Sequence, residues 1–281
     1  MGDDGTRAAR AATRPLTPDR RRATIADTMR TWHCFSSVLI LWTVVAAPAM
    51  YAGAIVVGLP PEPSSGICAP FNCNNDPVFG VITEYQQVYS STSFPGRLTI
   101  TGIDFFHTAA PFPVSVNAAS YTLRFSTTSK SVVGTGSLLS GLSNTLSNNI
   151  GADDQLFFSG TLSGLIPIGG KLAIVGTAPF SYDPANGNLL LDISITGAAA
   201  SPGVGGLDLH NYNIDPGTTL FGRAFTESGG SVGVKQVNDR GGLVTQFDVV
   251  TPEPALALPI ALVLIGFKRI RDRQKILQRT A

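Results

Sequence analysis

From about residue 81 to residue 250 apolar and polar positions alternate in short runs broken by Gly, Ser and Asn, the period of two that buries one face of a strand and leaves the other wet. Tyr121, Leu123 and Phe125 fall on one face, with Thr122, Arg124 and Ser126 on the other. Leu243, Thr245, Phe247 and Val249 alternate likewise with Val244, Gln246 and Asp248, which places the last strand there. Leu98 and Ile100 share one parity and Ile103 and Phe105 the other, with Gly102 at the change. A bulge at that glycine would return all four to the core, so one bent strand is expected over 97–106. Further strands are expected over 81–89, 156–162, 172–175 and 220–225. Asp183-Pro184-Ala185-Asn186-Gly187 carries turn chemistry, because Pro presets φ and Asn-Gly tolerates positive φ. After it Leu189, Leu191, Ile193 and Ile195 share one face while Asn188, Asp192 and Ser194 occupy the other, which predicts a hairpin over 180–195. Residues 55–80 show no sustained period and read as irregular. The Ser/Gly/Asn-rich run 126–149 reads as one long loop or a weak edge hairpin. No helical period and no internal repeat stands out in this body. About eight strands joined by turn-rich loops predict an all-β fold, an antiparallel β-sandwich or jelly-roll-like domain.

Two apolar runs at the ends break this pattern. Residues 38–49 are apolar and follow Arg30 and His33, the basic-then-apolar order of a signal peptide. The run falls short of the ~20 residues of a membrane span. Ala47-Pro48-Ala49 and Ala52-Gly53-Ala54 are both small-x-small cleavage sites, and the sequence does not choose between them. Met29 directly precedes Arg30, so translation is expected to start there, with 1–28 a disordered basic extension. Arg20-Arg21-Arg22 lies too far from the apolar run, and lacks the surrounding motif, to read as a twin-arginine signal. At the other end Pro252-Glu253-Pro254 leads into the apolar segment 255–267 and then Lys268, Arg269, Arg271 and Arg273. Such a basic cluster stays on the cytoplasmic side and halts translocation. The prolines flanking Glu253 favour an extended backbone just outside the expected transmembrane helix. A simple membrane anchor, or a buried helix with a polar end, is the plainer use of these residues.

The order Pro-Glu-Pro, short apolar helix, basic cluster resembles the PEP-CTERM sorting signal of Gram-negative bacteria, a tail that an exosortase recognises and processes. The resemblance covers the C-terminal residues 251–281 and a signal segment at the opposite end; the body is similar only in style, notably over 182–192. Pro259 interrupts the apolar helix early, and the chain beyond Arg273 is longer than the usual basic end. The resemblance implies an exported protein that meets the export machinery and a signal peptidase, resides transiently in the inner membrane, is processed by an exosortase-like enzyme, and contributes to biofilm or exopolysaccharide organisation. The expected organisation is an extension over 1–28, a signal peptide over 29–54, a β-rich extracytoplasmic domain over 55–250 and a sorting tail over 251–281.

Charge sharpens this division. Charged residues make up 14% of the chain, and the formal net charge of +1 conceals basic ends around an acidic body. Residues 55–250 hold seven basic and 13 acidic residues, a net charge of −6, which argues against a nucleic-acid partner. Of the three cysteines, Cys34 lies in the segment expected to be removed. Cys68 and Cys73 flank four residues and would either close a small disulfide loop in an oxidising compartment or remain free thiols.

Candidate chemistry is sparse, and no catalytic residue, metal site or cofactor is assigned. The body offers only His107 and His210 as imidazoles, and Asp104 lies near His107 in sequence, but no nucleophile, base and orienting group stand out together. Asp183, Asn186 and Asn188, the pair Asp153-Asp154, and the stretch from Asp208 to Asp215 carry oxygen atoms suited to calcium, and turns explain them as well. Tyr85, Tyr89, Tyr121 and Tyr182 would either stack on sugars or fill the core. Two functional classes follow: a non-enzymatic surface or matrix protein, and a secreted carbohydrate-binding or carbohydrate-active β-sandwich module.

Overall fold

Antiparallel strands dominate the computed structural model, which describes residues 50–59, 66–73, 75–76, 80–108, 111–136, 139–200, 205–211, 219–228 and 234–252. In chain order they are β1 (Met50–Val57), β2 (Gly66–Ile67), β3 (Asn75–Asp76), β4 (Gly80–Val81), β5 (Glu84–Tyr89), β6 (Leu98–His107), β7 (Val114–Thr128) and β8 (Gln155–Ile166). There follow β9 (Gly170–Tyr182), β10 (Asn188–Thr196), β11 (Leu207–Asn211), β12 (Phe221–Ser228), β13 (Val234–Asp239), β14 (Gly241–Leu243) and β15 (Thr245–Pro252). They form a four-stranded sheet ordered β1-β15-β6-β9 and a three-stranded one ordered β14-β11-β2. A larger sheet runs β3-β4-β12-β5-β10-β7-β8, with β13 also on β12. Helical structure among the described residues is limited to three single 3-10 turns, and none is long and apolar enough to cross a membrane.

Aromatic rings join the four-stranded and the large sheet. Phe247 of β15 meets Tyr89 of β5 at 4.9 Å and Phe125 of β7 at 6.3 Å between ring centroids. Phe180 of β9 lies 5.7 Å from Phe125. Edge-to-face and tilted contacts of this kind add to the burial of large apolar area that drives the sheets together.

The Gly102 bulge forms as the parity change predicts. On both sides of β6 the register slips by residues next to Gly102, where Ile100 pairs Val249 and Gly102 pairs Asp248. Thr101 is the extra residue, and Leu98, Ile100, Ile103 and Phe105 are all buried. A side chain at position 102 would meet the Asp248 carboxylate at 2.7 Å.

The predicted hairpin over 180–195 does not form. β9 pairs β6 in the four-stranded sheet, whereas β10 lies between β5 and β7 in the large one. The turn itself has the expected chemistry: the Asp183 side chain accepts from Ala185 N–H, Pro184 opens a 3-10 turn, and Gly187 adopts φ 143°. It carries the chain from one sheet to the other, and Tyr182 braces it by donating its hydroxyl to the Gly187 carbonyl at 2.7 Å. Alternation alone cannot separate these cases, because strands facing each other across a core need the same period as strands paired within one sheet.

Other boundaries also move. The strand expected over 81–89 breaks at Ile82 and Thr83 into β4 and β5. Those expected over 156–162 and 172–175 extend to β8 and β9. The irregular segment 55–80 contains the end of β1 and the short β2 and β3. β1 starts at Met50, inside the span assigned to the signal peptide, and β15 runs on into the first two residues of the tail span. Residues 1–49, with the extension and the apolar run, and residues 253–281, with Glu253, Pro254, the segment 255–267 and its basic cluster, lie outside the described residues.

Candidate functional site

Sequence parity leaves the outer face of the large sheet polar, and the structure covers much of it with the chain between β7 and β8. That connection, expected to be a loop or a weak hairpin, is a long loop in its described residues and ends in a 3-10 turn at Leu146–Asn149. Its Val132, Leu142 and Leu146 pack on Val88, Leu190 and Ala224, a second apolar cluster apart from the main core. Gly222 permits the close approach, since a Cβ there would lie 2.3 Å from the Ser140 side chain. Asn238 of β13 pins the loop, accepting from Ser140 N–H at 3.1 Å and donating to the Leu142 carbonyl at 2.6 Å.

Between loop and β13 lies a recess of about 630 Å³ lined by Gly134, Thr135, Leu139, Ser140, Asn144 and Asn238, among others. Among the described residues its lining carries hydroxyls, amides and aliphatic carbons, with no charged or aromatic side chain. Such a wall can hydrogen-bond a neutral polar molecule.

Beneath the same loop the sheet buries a carboxylate. Asp192 is 6% exposed, and its Oδ1 accepts from Gln86 Nε2 at 3.2 Å. Gln86 in turn donates to the Leu146 carbonyl and accepts from Asn149, which locks loop to sheet. Arg124 binds Asp154 through Nε at 2.8 Å and through a second nitrogen at 2.6 Å. Burial first, and then the nearby Asp154 charge, push the Asp192 carboxyl above the ordinary aspartate range. Burial and then Asp192 do the same to Glu84. A raised folded-state pKa means that the folded protein binds protons more tightly than the unfolded chain, so these groups oppose folding at neutral pH. Their penalty disappears as pH falls through the folded pKa toward the unfolded value. Asp192→Asn, which keeps the oxygen facing Gln86, is therefore expected to raise the melting temperature near pH 7. Thermal scans from pH 7.5 to 4 would show this gain shrinking with acidification; a loss at pH 7 would contradict it.

The chain separates the acid and imidazole that lie close in sequence. Asp104 is buried on the other face of β6, where Lys171 Nζ reaches it at 2.6 Å and Gln246 Nε2 at 3.2 Å. His107 is fully buried, with its ring nitrogens 3.1 Å from the Gly206 carbonyl and 2.9 Å from the Phe112 carbonyl. Three residues apart on a strand, the two side chains take opposite faces. His210 packs edge-on against Phe221 at 5.5 Å.

The oxygens suited to calcium are mostly engaged by donors. Asp183 Oδ2 accepts from Arg97 at 2.7 Å, Asn188 Oδ1 from Ser91 N–H at 2.8 Å, and Asp153 Oδ1 from Thr127 N–H at 2.6 Å. Asp208 accepts from the Thr108 N–H and hydroxyl; Asp215 lies outside the described residues. Among the described residues no three His, Cys, Asp or Glu side chains gather as a metal site. Tyr85, Tyr89, Tyr121 and Tyr182 are all fully buried, so they fill the core and offer no stacking platform. Cys68 and Cys73 are joined in a disulfide. Their loop sets Phe71 into the core against Phe105 and Tyr121, and the Phe71 carbonyl accepts from Asn117 N–H at 2.7 Å.

No family model matches the chain, and no curated protein or solved structure is similar to it. What the body can do must be read from its own geometry.

One polar group deep in the structure has no counterpart among the sequence-derived candidates. Arg223 of β12 binds Asp239 through Nε at 2.7 Å and Nη2 at 2.8 Å, and its guanidinium lies 5.6 Å from the Phe225 ring. Gln87 beside it donates to the Leu243 carbonyl at 3.0 Å and accepts from Leu243 N–H at 2.8 Å. Its signal in the sequence is parity: Arg223 shares a face with Phe221 and Phe225, and Gln87 with Tyr85 and Tyr89.

Proposed function

We propose that the chain is an exported cell-envelope or extracellular-matrix protein, sorted through its C-terminal tail and serving exopolysaccharide or biofilm organisation without catalysis. The observation that carries this reading is the order of segments. An apolar run ending in Ala47-Pro48-Ala49 precedes the β-rich body, and Pro252-Glu253-Pro254, the apolar segment 255–267 and a basic cluster follow it. The body fits between them closely, since β1 begins one residue after Ala49 and β15 ends on Pro252. The disulfide between Cys68 and Cys73 suits an oxidising compartment. In this proposal the four-stranded and large sheets are the layers of an antiparallel, jelly-roll-like sandwich, held between an N-terminal signal helix and a C-terminal transmembrane helix. Export machinery, a signal peptidase, an exosortase-like enzyme and, transiently, the inner membrane are its partners, and nucleic acid is not.

Glu253→Ala combined with Pro254→Ala leaves β15 intact and removes the motif. Fractionation of producing cells is expected to find this variant retained in the inner membrane with its tail, while the unaltered chain leaves that membrane. Identical distribution of the two would contradict sorting through the motif.

A carbohydrate-directed module is the second reading, and the uncharged recess of hydroxyls and amides under Asn238 favours it. A glycan array with the purified mature protein separates the two. Saturable binding to one defined sugar supports the module, and its loss in Asn144→Ala would place the sugar in the recess.

A further inference from the structure

We infer that the exported chain is cut between Ala49 and Met50, and that the second small-x-small site, ending at Ala54, is a strand segment and is left uncut. The inference rests on the export reading above and adds to it the bond that is processed. Sequence alone offers both sites, since alanine stands at the last and third-last positions of each. The strand pairing distinguishes them. All eight residues of β1 pair with β15 in unbroken register, from Met50 opposite Pro252 to Val57 opposite Thr245. Cutting after Ala49 leaves every one of these pairs. Cutting after Ala54 removes Met50, Tyr51, Ala52, Gly53 and Ala54, and only Ile55, Val56 and Val57 would still pair.

The loss would fall on the strand that leads into the tail. β1 is β15's neighbour on one side and β6 on the other, and β6 pairs β15 only as far as Val250 opposite Thr99. Thr251 and Pro252, next to Glu253, are therefore paired by β1 alone. A shortened β1 would strip the backbone partners from Asp248 to Pro252 on that side.

In the reaction, water adds across the Ala49–Met50 peptide bond: the carbonyl carbon of Ala49 gains the hydroxyl, and the amine of Met50 gains the proton as the C–N bond breaks. The signal peptidase of the exporting cell is the catalyst. The new α-amine then starts β1 opposite Pro252.

The test is N-terminal sequencing of the full-length chain expressed in a Gram-negative host and recovered from the envelope or medium. Met50 as the first residue is expected, and it should persist in Ala54→Leu, which disables the second site alone. Ile55 as the first residue would overturn this inference while leaving export intact. A chain still carrying residues 38–49 would overturn both. Ala49→Leu is expected to cut the yield of chain starting at Met50 at least tenfold; undiminished cleavage at that bond would contradict the assignment.

Discussion

Phe247→Ala is expected to lower the unfolding free energy by about 3–5 kcal/mol, which is a large share of the 5–15 kcal/mol typical of a folded domain. The ring belongs to β15, yet its neighbours come from elsewhere: Tyr89 at 4.9 Å, Phe94 at 5.4 Å and Phe125 at 6.3 Å. Truncation therefore opens a cavity where three segments converge, and fully buried rings around it cannot close it without leaving their own contacts. At roughly 2–4 °C per kcal/mol the melting temperature should fall by about 6–20 °C. Phe247→Leu retains most of the volume and should cost well under half as much. Urea denaturation of the purified body measures both, and a loss below about 1 kcal/mol for the alanine variant would mean that this ring does not join the sheets.

Asp239→Ala is the second large effect, at about 2–4 kcal/mol, because it strands a buried guanidinium. Arg223 has a side chain only 9% exposed and Asp239 one 33% exposed, so the loss should sit somewhat below that of a wholly buried pair. Burial alone would lower the Arg223 pKa, and the Asp239 hydrogen bonds and charge outweigh it, so the net direction is upward. A guanidinium stays protonated in proteins even without a partner, so the charge persists when Asp239 is removed. Arg223→Met together with Asp239→Leu removes both charges and should recover most of the lost stability. A double variant no better than Asp239→Ala alone would show that packing, and not the stranded charge, sets the cost.

Features governed by local chemistry were legible in the sequence, and those governed by long-range pairing were not. Leu98, Ile100, Ile103 and Phe105 predicted a bulge because a parity change at Gly102 has a single simple remedy. Asp183-Pro184-Ala185-Asn186-Gly187 predicted a turn for an equally local reason. The partner of the strand beyond it was hidden, since Leu189, Leu191, Ile193 and Ile195 alternate identically whether β9 lies beside them or across the core. Leu190 gave the missed clue. An apolar residue on the polar face of β10, it is buried because Val132, Leu142 and Leu146 return from a Ser/Gly/Asn-rich loop to cover it. Three apolar residues scattered through such a run carry no periodicity. The recess and the carboxylates under that loop were invisible for the same reason; Arg223 was not among the expected site residues, although it shares parity with Phe221 and Phe225.

The proposed function rests on how the ends join the body, and Met50 pairs with Pro252 at that junction. If the proposed export and sorting hold, the strand that follows the cut supports the strand that precedes the tail, at the β1–β15 end of the four-stranded sheet.

Intact-mass analysis of the protein recovered from the envelope or medium of a producing Gram-negative cell tests the sorting account most directly. The account predicts a mature C-terminus close to Pro252-Glu253-Pro254, with residues 268–281 gone. Recovery of a chain that still carries Lys268, Arg269, Arg271, Arg273 and the residues to Ala281 would contradict it.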